Sequence, residues 1–169
     1  MINCKDFYTI LEEKQINFFT GVPDSLLKDI NNYIIDNVPS DRHIISANEG
    51  GAIALAAGYH LATNKIGLVY MQNSGQGNAV NPLTSLVDQE VYSIPMLLLI
   101  GWRGQPGIND EPQHLKQGRG TLSLLETLEI PYELSGNNIR DAAKNLEKAI
   151  DHIKKSSSHL FRINKLFSF

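Results

Sequence analysis

The chain has one cysteine and one tryptophan in 169 residues, no excess of basic charge and no long apolar run. Each shortage excludes a class of function. A single thiol, Cys4, leaves no internal disulfide and no Cys-x-x-Cys metal or redox motif. A net charge of −3 and a pI near 5.9 provide no basic face for phosphate neutralisation, so no nucleic-acid partner is expected. The longest apolar run, Ile94 to Ile100, is far shorter than the roughly 20 residues that span a bilayer, so no membrane association is expected. The opening MINCKDFYTILEEK carries acids early and lacks the layout of a signal peptide, which makes a cytoplasmic location the expectation. Gly-x-x-x-x-Gly-Lys-Ser/Thr is absent, which excludes a Walker-type nucleotide loop. Gly75-x-Gly77 is followed by Ala79-Val80 rather than a third glycine, which disfavours a dinucleotide site.

What the chain does contain is enough apolar material for one sizeable core, 42 % of residues, in a regular pattern. Asn3 to Gln15 reads as an amphipathic helix with Phe7, Ile10 and Leu11 on one face. Short apolar runs at 17–21, 43–47, 66–71, 95–100, 132–134 and 159–163 read as strands. Helices are expected between them at about 26–35, 50–62, from 78, 115–128 and 139–154. Near-continuous hydrophobicity in the strands, the 43–47 run included, points to buried parallel pairing. The expected fold is one doubly wound α/β domain over residues 1–169: a mostly parallel sheet of about six strands with helices on both faces. Lys154 to Ser158 reads as a short connection.

In such sheets ligands bind beyond the carboxyl ends of the strands. Four successive strands end here in unusual sequence: Gly21-Val22-Pro23-Asp24-Ser25, Asn48-Glu49-Gly50-Gly51, Asn73-Ser74-Gly75-Gln76-Gly77-Asn78, and Gly101-Trp102-Arg103-Gly104. Glu49 is placed where a strand hands over to a small-residue helix. The helix start favours its ionised form while apolar walls favour its protonated form, a setting suited to a proton handler or merely to a helix cap. Asp24 or Ser25 reads as the N-cap of the following helix. The 73–78 loop offers a backbone surface for a flat heterocycle, or is a glycine-rich turn. His114, expected at the end of a polar loop, is the best candidate acid–base histidine; His43, His60, His152 and His159 read as packing or solvated residues. Arg103, Lys116 and Arg119 are candidates to neutralise an anionic substrate, or are solvated charges. Leu83, Leu86, Val87 and Val91 belong either to the core or to a subunit contact.

Thr20-Gly21-Val22-Pro23-Asp24-Ser25-Leu26-Leu27, Ala47-Asn48-Glu49-Gly50-Gly51-Ala52, the run from Tyr70 to Pro82, and Gly101-Trp102-Arg103-Gly104 with Asp110-Glu111-Pro112-Gln113-His114 resemble the pyrimidine-binding domain of thiamine-diphosphate-dependent 2-oxo acid decarboxylases. The likeness is greatest to the phosphonopyruvate decarboxylases, then to the α subunits of sulfopyruvate decarboxylases, and it implies the thiamine-diphosphate-binding fold. It implies that Glu49 contacts N1′ of the cofactor's aminopyrimidine and that Pro23, Asn73, Ser74, Gly75, Gln76, Gly77 and Asn78 lie along the cofactor. It further implies that Asp24, Ser25 and His114 stand at the substrate end, with a small 2-oxo acid as substrate. Family members also need a diphosphate-binding domain whose Gly-Asp-Gly motif holds Mg²⁺. No Gly-Asp-Gly occurs here, and the sequence after the last expected strand is short. The resemblance therefore implies half a site, with no metal ligands of its own, completed by a diphosphate-binding domain or subunit in a homodimer or higher oligomer, and inactive alone. A non-catalytic module of the same fold is the alternative from another class.

Overall fold

A computed structural model of the chain describes residues 3–134, 138–156 and 161–164. The elements follow in the order α1 (Cys4–Glu13), β1 (Phe19–Gly21), α2 (Lys28–Asn37), β2 (His43–Ile45), α3 (Glu49–Thr63), β3 (Gly67–Gln72), a 3-10 turn (Asn73–Gly75), α4 (Gln76–Ser85), β4 (Met96–Gly101), α5 (Pro112–Thr127), β5 (Tyr132–Leu134), α6 (Ile139–Ser156) and β6 (Phe161–Asn164). Six strands form one sheet in the order β2-β1-β3-β4-β6-β5, and each neighbouring pair is parallel. All strand ends that follow in sequence with polar loops therefore share one rim. The expected strand at 159–163 is found at Phe161–Asn164, and residues 159 and 160 lie outside the described ones.

The strand order makes β1 the pivot: the chain goes outward to β2, then crosses over β1 to lay down β3. In open parallel sheets such a crossover opens a crevice at the strand ends. It lies between the loop after β1 and the loop after β3.

Alternation along the central strands divides the interior into two cores. Phe19, Leu68, Tyr70, Leu97 and Leu99 face one side, where Phe7 and Leu11 of α1, Ile30 and Ile34 of α2, and Leu146 and Ile150 of α6 cover them. Val69, Met71, Met96, Leu98 and Ile100 face the other, against Ile53 and Ala56 of α3, Ala79 and Leu83 of α4, and Leu125 of α5. Leu83 and Val87 belong to this second core and Leu86 packs against it, whereas Val91 is exposed.

One strand differs from its expected setting. β2 was expected to be buried, but it forms the sheet edge, with Ile44 and Ile45 38 % and 54 % exposed. Its apolar composition does not come from burial among the described residues. Among the described residues no helix is long and apolar enough to cross a membrane.

Leu98 sits mid-strand in β4 with no exposed surface. Leu98→Ala is expected to lower the unfolding free energy by about 3 kcal/mol, since the surrounding helices collapse only partly into the space. Urea denaturation measures the difference.

Candidate active site

The start of α3 is capped by Asn48, whose Oδ1 accepts from the Gly51 N–H at 2.8 Å. That assignment matters for Glu49. The preceding asparagine does the capping, so the glutamate is free for another role. Glu49 is 8 % exposed, and its Oε2 accepts from Asn78 Nδ2 at 2.7 Å. Its Oε1 lies against the bare α-carbon of Gly75, where any β-carbon would collide with the carboxylate. Oε1 has no hydrogen-bond donor among the described residues. The result is a buried acid fixed at one oxygen, with the other left beside a glycine floor. Gly77, two residues on, is exposed, and nothing lies close to its open face.

Asn73 begins the turn between β3 and α4. Its Oδ1 accepts from the Arg103 N–H at 3.1 Å, while Nδ2 donates to the Arg103 carbonyl at 2.9 Å and to Thr121 Oγ1 at 2.8 Å. The amide is thus fully used in tying the end of β3 to the loop after β4 and to α5. Ser74 Oγ accepts from Gln72 Nε2 at 2.6 Å, and Gln76 is buried at the start of α4.

Asp24 lies beyond the end of β1. It does not cap a helix, because α2 starts at Lys28 after Leu27, which makes no side-chain cap. Instead Asp24 Oδ2 accepts from the Leu26 N–H at 3.1 Å in the intervening turn, and the carboxylate packs on the α-carbon of Gly101. Asp24 is 5 % exposed, and its Oδ1 is buried with no partner among the described residues. Burial pushes its carboxyl above the ordinary value, opposed by the Leu26, Leu27 and Ser25 N–H groups and by the Arg103 charge. Ser25 and Pro23 beside it are exposed.

A second carboxylate a short way along the rim is treated in the opposite way. Asp110 accepts from Arg103 Nε at 3.0 Å and Nη2 at 2.5 Å, from the Gly104 and Glu111 N–H groups at 2.6 and 2.8 Å, and faces His114 Nδ1 at 3.0 Å. Burial alone would raise this carboxyl, but the donors from Arg103, Gly104, His114 and Glu111 outweigh it and hold Asp110 well below the usual carboxylate range. His114 sits in the first turn of α5, which begins at Pro112, rather than in the expected loop. With Nδ1–H donated to Asp110, a neutral His114 presents Nε2 as its free nitrogen. Arg103 Nη1 donates to Ser25 Oγ at 3.1 Å, which joins the loops after β1 and β4. The loop is also secured to α5, where Trp102 Nε1 donates to the Gly118 carbonyl at 2.8 Å and Gly118 touches the backbone of Gly104.

Residues 4–123 match the family model described as thiamine pyrophosphate enzyme, N-terminal TPP binding domain. The chain belongs to that family. It is 36 % identical over 159 residues to a phosphonopyruvate decarboxylase of Streptomyces viridochromogenes, covering 94 % of this chain and 38 % of that one. It is 38 % identical over 125 residues to the sulfopyruvate decarboxylase subunit alpha of Methanococcus maripaludis, covering 74 % of this chain and 72 % of that one. The chain thus spans 32–38 % of the length of the phosphonopyruvate decarboxylases it matches, and 72–85 % of the sulfopyruvate decarboxylase α subunits. Among solved structures, benzoylformate decarboxylase from Polynucleobacter necessarius superposes with a TM-score of 0.72 at 16 % identity, over 95 % of this chain and 29 % of that one, a likeness of fold.

Within this thiamine pyrophosphate enzyme domain the sequence-predicted residues fall into two groups. Asn78 and Gly75 meet the Glu49 carboxylate at the β3 side of the crevice, and Gly77 lies in the same segment. Ser25 and His114 join a second group around Arg103 and Asp110, and Asp24 adjoins it through its charge interaction with Arg103. Sequence reasoning left Arg103 among three equal cations and passed over Asp110. Lys116 and Arg119 are exposed on α5 and make no ion pair among the described residues. The available signal was an Arg and an Asp seven residues apart around a loop with glycines at 104 and 107, too general to act on without coordinates.

The raised carboxyl of Asp24 has a definite pH signature. A folded-state value above the unfolded one means that the native chain holds this proton to higher pH, so ionisation costs stability as pH rises. Relative to Asp24→Asn, the wild type is expected to be most stable below about pH 4, where the unfolded carboxyl is protonated too. It should lose ground as pH rises through the folded-state value. Urea titrations at about pH 4 and pH 7 give the two differences, and equal differences would mean that folding does not raise the Asp24 carboxyl.

Proposed function

We propose that residues 1–169 form one pyrimidine-binding domain, and that the chain is the pyrimidine-binding half of a thiamine-diphosphate-dependent decarboxylase acting on phosphonopyruvate to release CO₂ and phosphonoacetaldehyde. The observation that carries this reading is the Glu49 carboxylate: buried, held at Oε2 by Asn78, packed on the bare α-carbon of Gly75, and without a donor to Oε1 among the described residues. That donor set fits an aminopyrimidine. A flat ring can approach a glycine backbone closely, and a carboxylic acid is the group that shares a proton with a ring nitrogen. When bound, the coenzyme supplies an electron sink for the pair left as a 2-oxo acid loses CO₂.

The chain's own residues divide the remaining work. Glu49 holds a proton toward N1′, and Asn78 keeps the carboxylate from turning away. Gly75 makes room for the Glu49 carboxylate and Gly77 leaves an open face for a ring, with Ser74 and Gln76 in the same segment. Asn73 acts at one remove, by fixing the loop that carries Arg103. Asp24, Ser25 and His114 serve the substrate end. Asp24 is suited to keep a proton because it is buried, and His114 to exchange one through Nε2.

The diphosphate and its Mg²⁺ are assigned to a partner domain or subunit, in a homodimer or higher assembly. Supporting that assignment, Ala54, Leu55, Gly58 and Tyr59 of α3 line an open apolar hollow with Phe18 and Ile44, on the helix that starts with Glu49. Apolar surface of this kind beside a half-built site suits coverage by another polypeptide region. A cytoplasmic location accords with a chain holding one free cysteine. Sulfopyruvate is the second substrate reading, favoured by the larger share of the α subunits that the chain covers.

In the complete enzyme, Glu49→Gln is expected to lower CO₂ release from either acid by about 10²- to 10⁴-fold, the usual yield of a positioned acid–base group. Its circular dichroism should match the wild type. Near-normal turnover by the variant would mean that the role assigned to Glu49 is wrong. The chain without its partner is expected to release no CO₂ from phosphonopyruvate, and turnover by the lone chain would refute the half-site.

A further inference from the structure

Arg103 is held at its backbone and along one edge of its side chain. Its backbone N–H and carbonyl are both bonded to the Asn73 amide, and its guanidinium lies side-on against Asp110 through Nε and Nη2. Nη1 reaches Ser25 Oγ. Of its five N–H groups, one on Nη1 and one on Nη2 have no acceptor among the described residues. Asp110 in turn is saturated by donors from Gly104, Glu111 and His114 as well as from Arg103, so its negative charge is shared among several partners. The Arg103 and Asp110 side chains are 20 % and 13 % exposed, neither sealed nor freely solvated.

Beside them is a cavity of about 220 Å³ lined by Leu26, Trp102, Arg103, Gln105 and Asp110, several times the ~30 Å³ share of one water molecule. Gln105 contributes an amide whose Oε1 is buried without a partner among the described residues. A guanidinium with one edge braced by a carboxylate and donors remaining on both terminal nitrogens matches a tetrahedral oxyanion, which accepts two parallel hydrogen bonds. Because the brace has already fixed the plane of the side chain, little rotamer freedom is lost on binding.

We propose that Arg103, positioned by Asp110, is the residue that recognises the tetrahedral oxyanion of the substrate, the phosphonate or sulfonate carried next to the 2-oxo acid carbon chain. Ser25 sets the distance between that anion and the loop after β1, and Asp110 is a positioning residue that does not touch the substrate. The proposal rests on the decarboxylase reading for the identity of the substrate, and its test separates the two.

In the complete enzyme, Arg103→Met is expected to raise KM for phosphonopyruvate and sulfopyruvate about 10- to 100-fold, the equivalent of one or two charge-assisted hydrogen bonds, with a smaller change in kcat. Arg103→Lys should recover only part of the loss, since an ammonium lacks the planar fork. A larger effect on one acid than on the other identifies which oxyanion the site prefers. Isothermal titration with methylphosphonate and with methanesulfonate provides a readout independent of turnover, with binding expected to the wild type and lost in Arg103→Met. Circular dichroism controls for folding. A KM within threefold of wild type, a fall in kcat alone, or equal binding of both probes by the variant would overturn the proposal. If the wild type releases no CO₂ from any 2-oxo acid, the decarboxylase reading fails, and the titration still decides whether Arg103 holds an oxyanion.

Discussion

The hydrogen bond from Asn78 Nδ2 to Glu49 Oε2 joins two helices that leave the sheet from different strands, α3 after β2 and α4 after β3. Its geometry depends on most of the fold. Glu49 reaches the rim because Asn48 has taken over the capping of α3, and Asn78 reaches it because a 3-10 turn delays the start of α4. The bare α-carbon of Gly75 then receives the carboxylate. A buried acid in such a place is costly unless its oxygens find donors, and here only one oxygen does. In the proposed reading, the unmatched oxygen is the one that a bound ring would complete.

Asp24 and Asp110 show how one rim can keep two carboxylates in opposite states. Asp24 is buried with a single side-chain bond from the neighbouring turn and one orphaned oxygen, so burial dominates and its carboxyl is raised. Asp110 collects donors from an arginine, a histidine and two backbone amides, and its carboxyl is held low despite burial. Arg103 touches both environments and lowers each acid, but only Asp110 meets it face to face. Separation of this kind lets neighbouring acids perform different tasks at one pH.

Much of this was legible in the chain before any coordinates. The parallel six-stranded sheet follows from the apolar runs, and the shared rim follows from parallel pairing. Glu49 stands out because a lone acid opens an otherwise small and apolar helix. What escaped were contacts set by tertiary placement. The apolar run at β2 reads as a buried strand because composition does not distinguish an edge awaiting a cover from an interior position. Asn73 reads as a ligand contact because an exposed amide and one spent on a remote loop look alike in sequence. His114 reads as a loop residue because Pro112 suggests a break, yet proline at the first helical position is favourable. The Arg103–Asp110 pair depends on a loop folding back on itself, which no local pattern announces.

The fastening of the Gly101–Asp110 segment to α5 has a mechanical meaning. Trp102 is bonded to Gly118, Asn73 ties Arg103 to Thr121, and Gly104 lies directly on Gly118. A segment pinned at two levels of a helix, Gly118 and Thr121, does not swing like a flap. If the cleft closes over a bound molecule, the stretch after β4 and the helix travel together as one block, or the closing element comes from elsewhere.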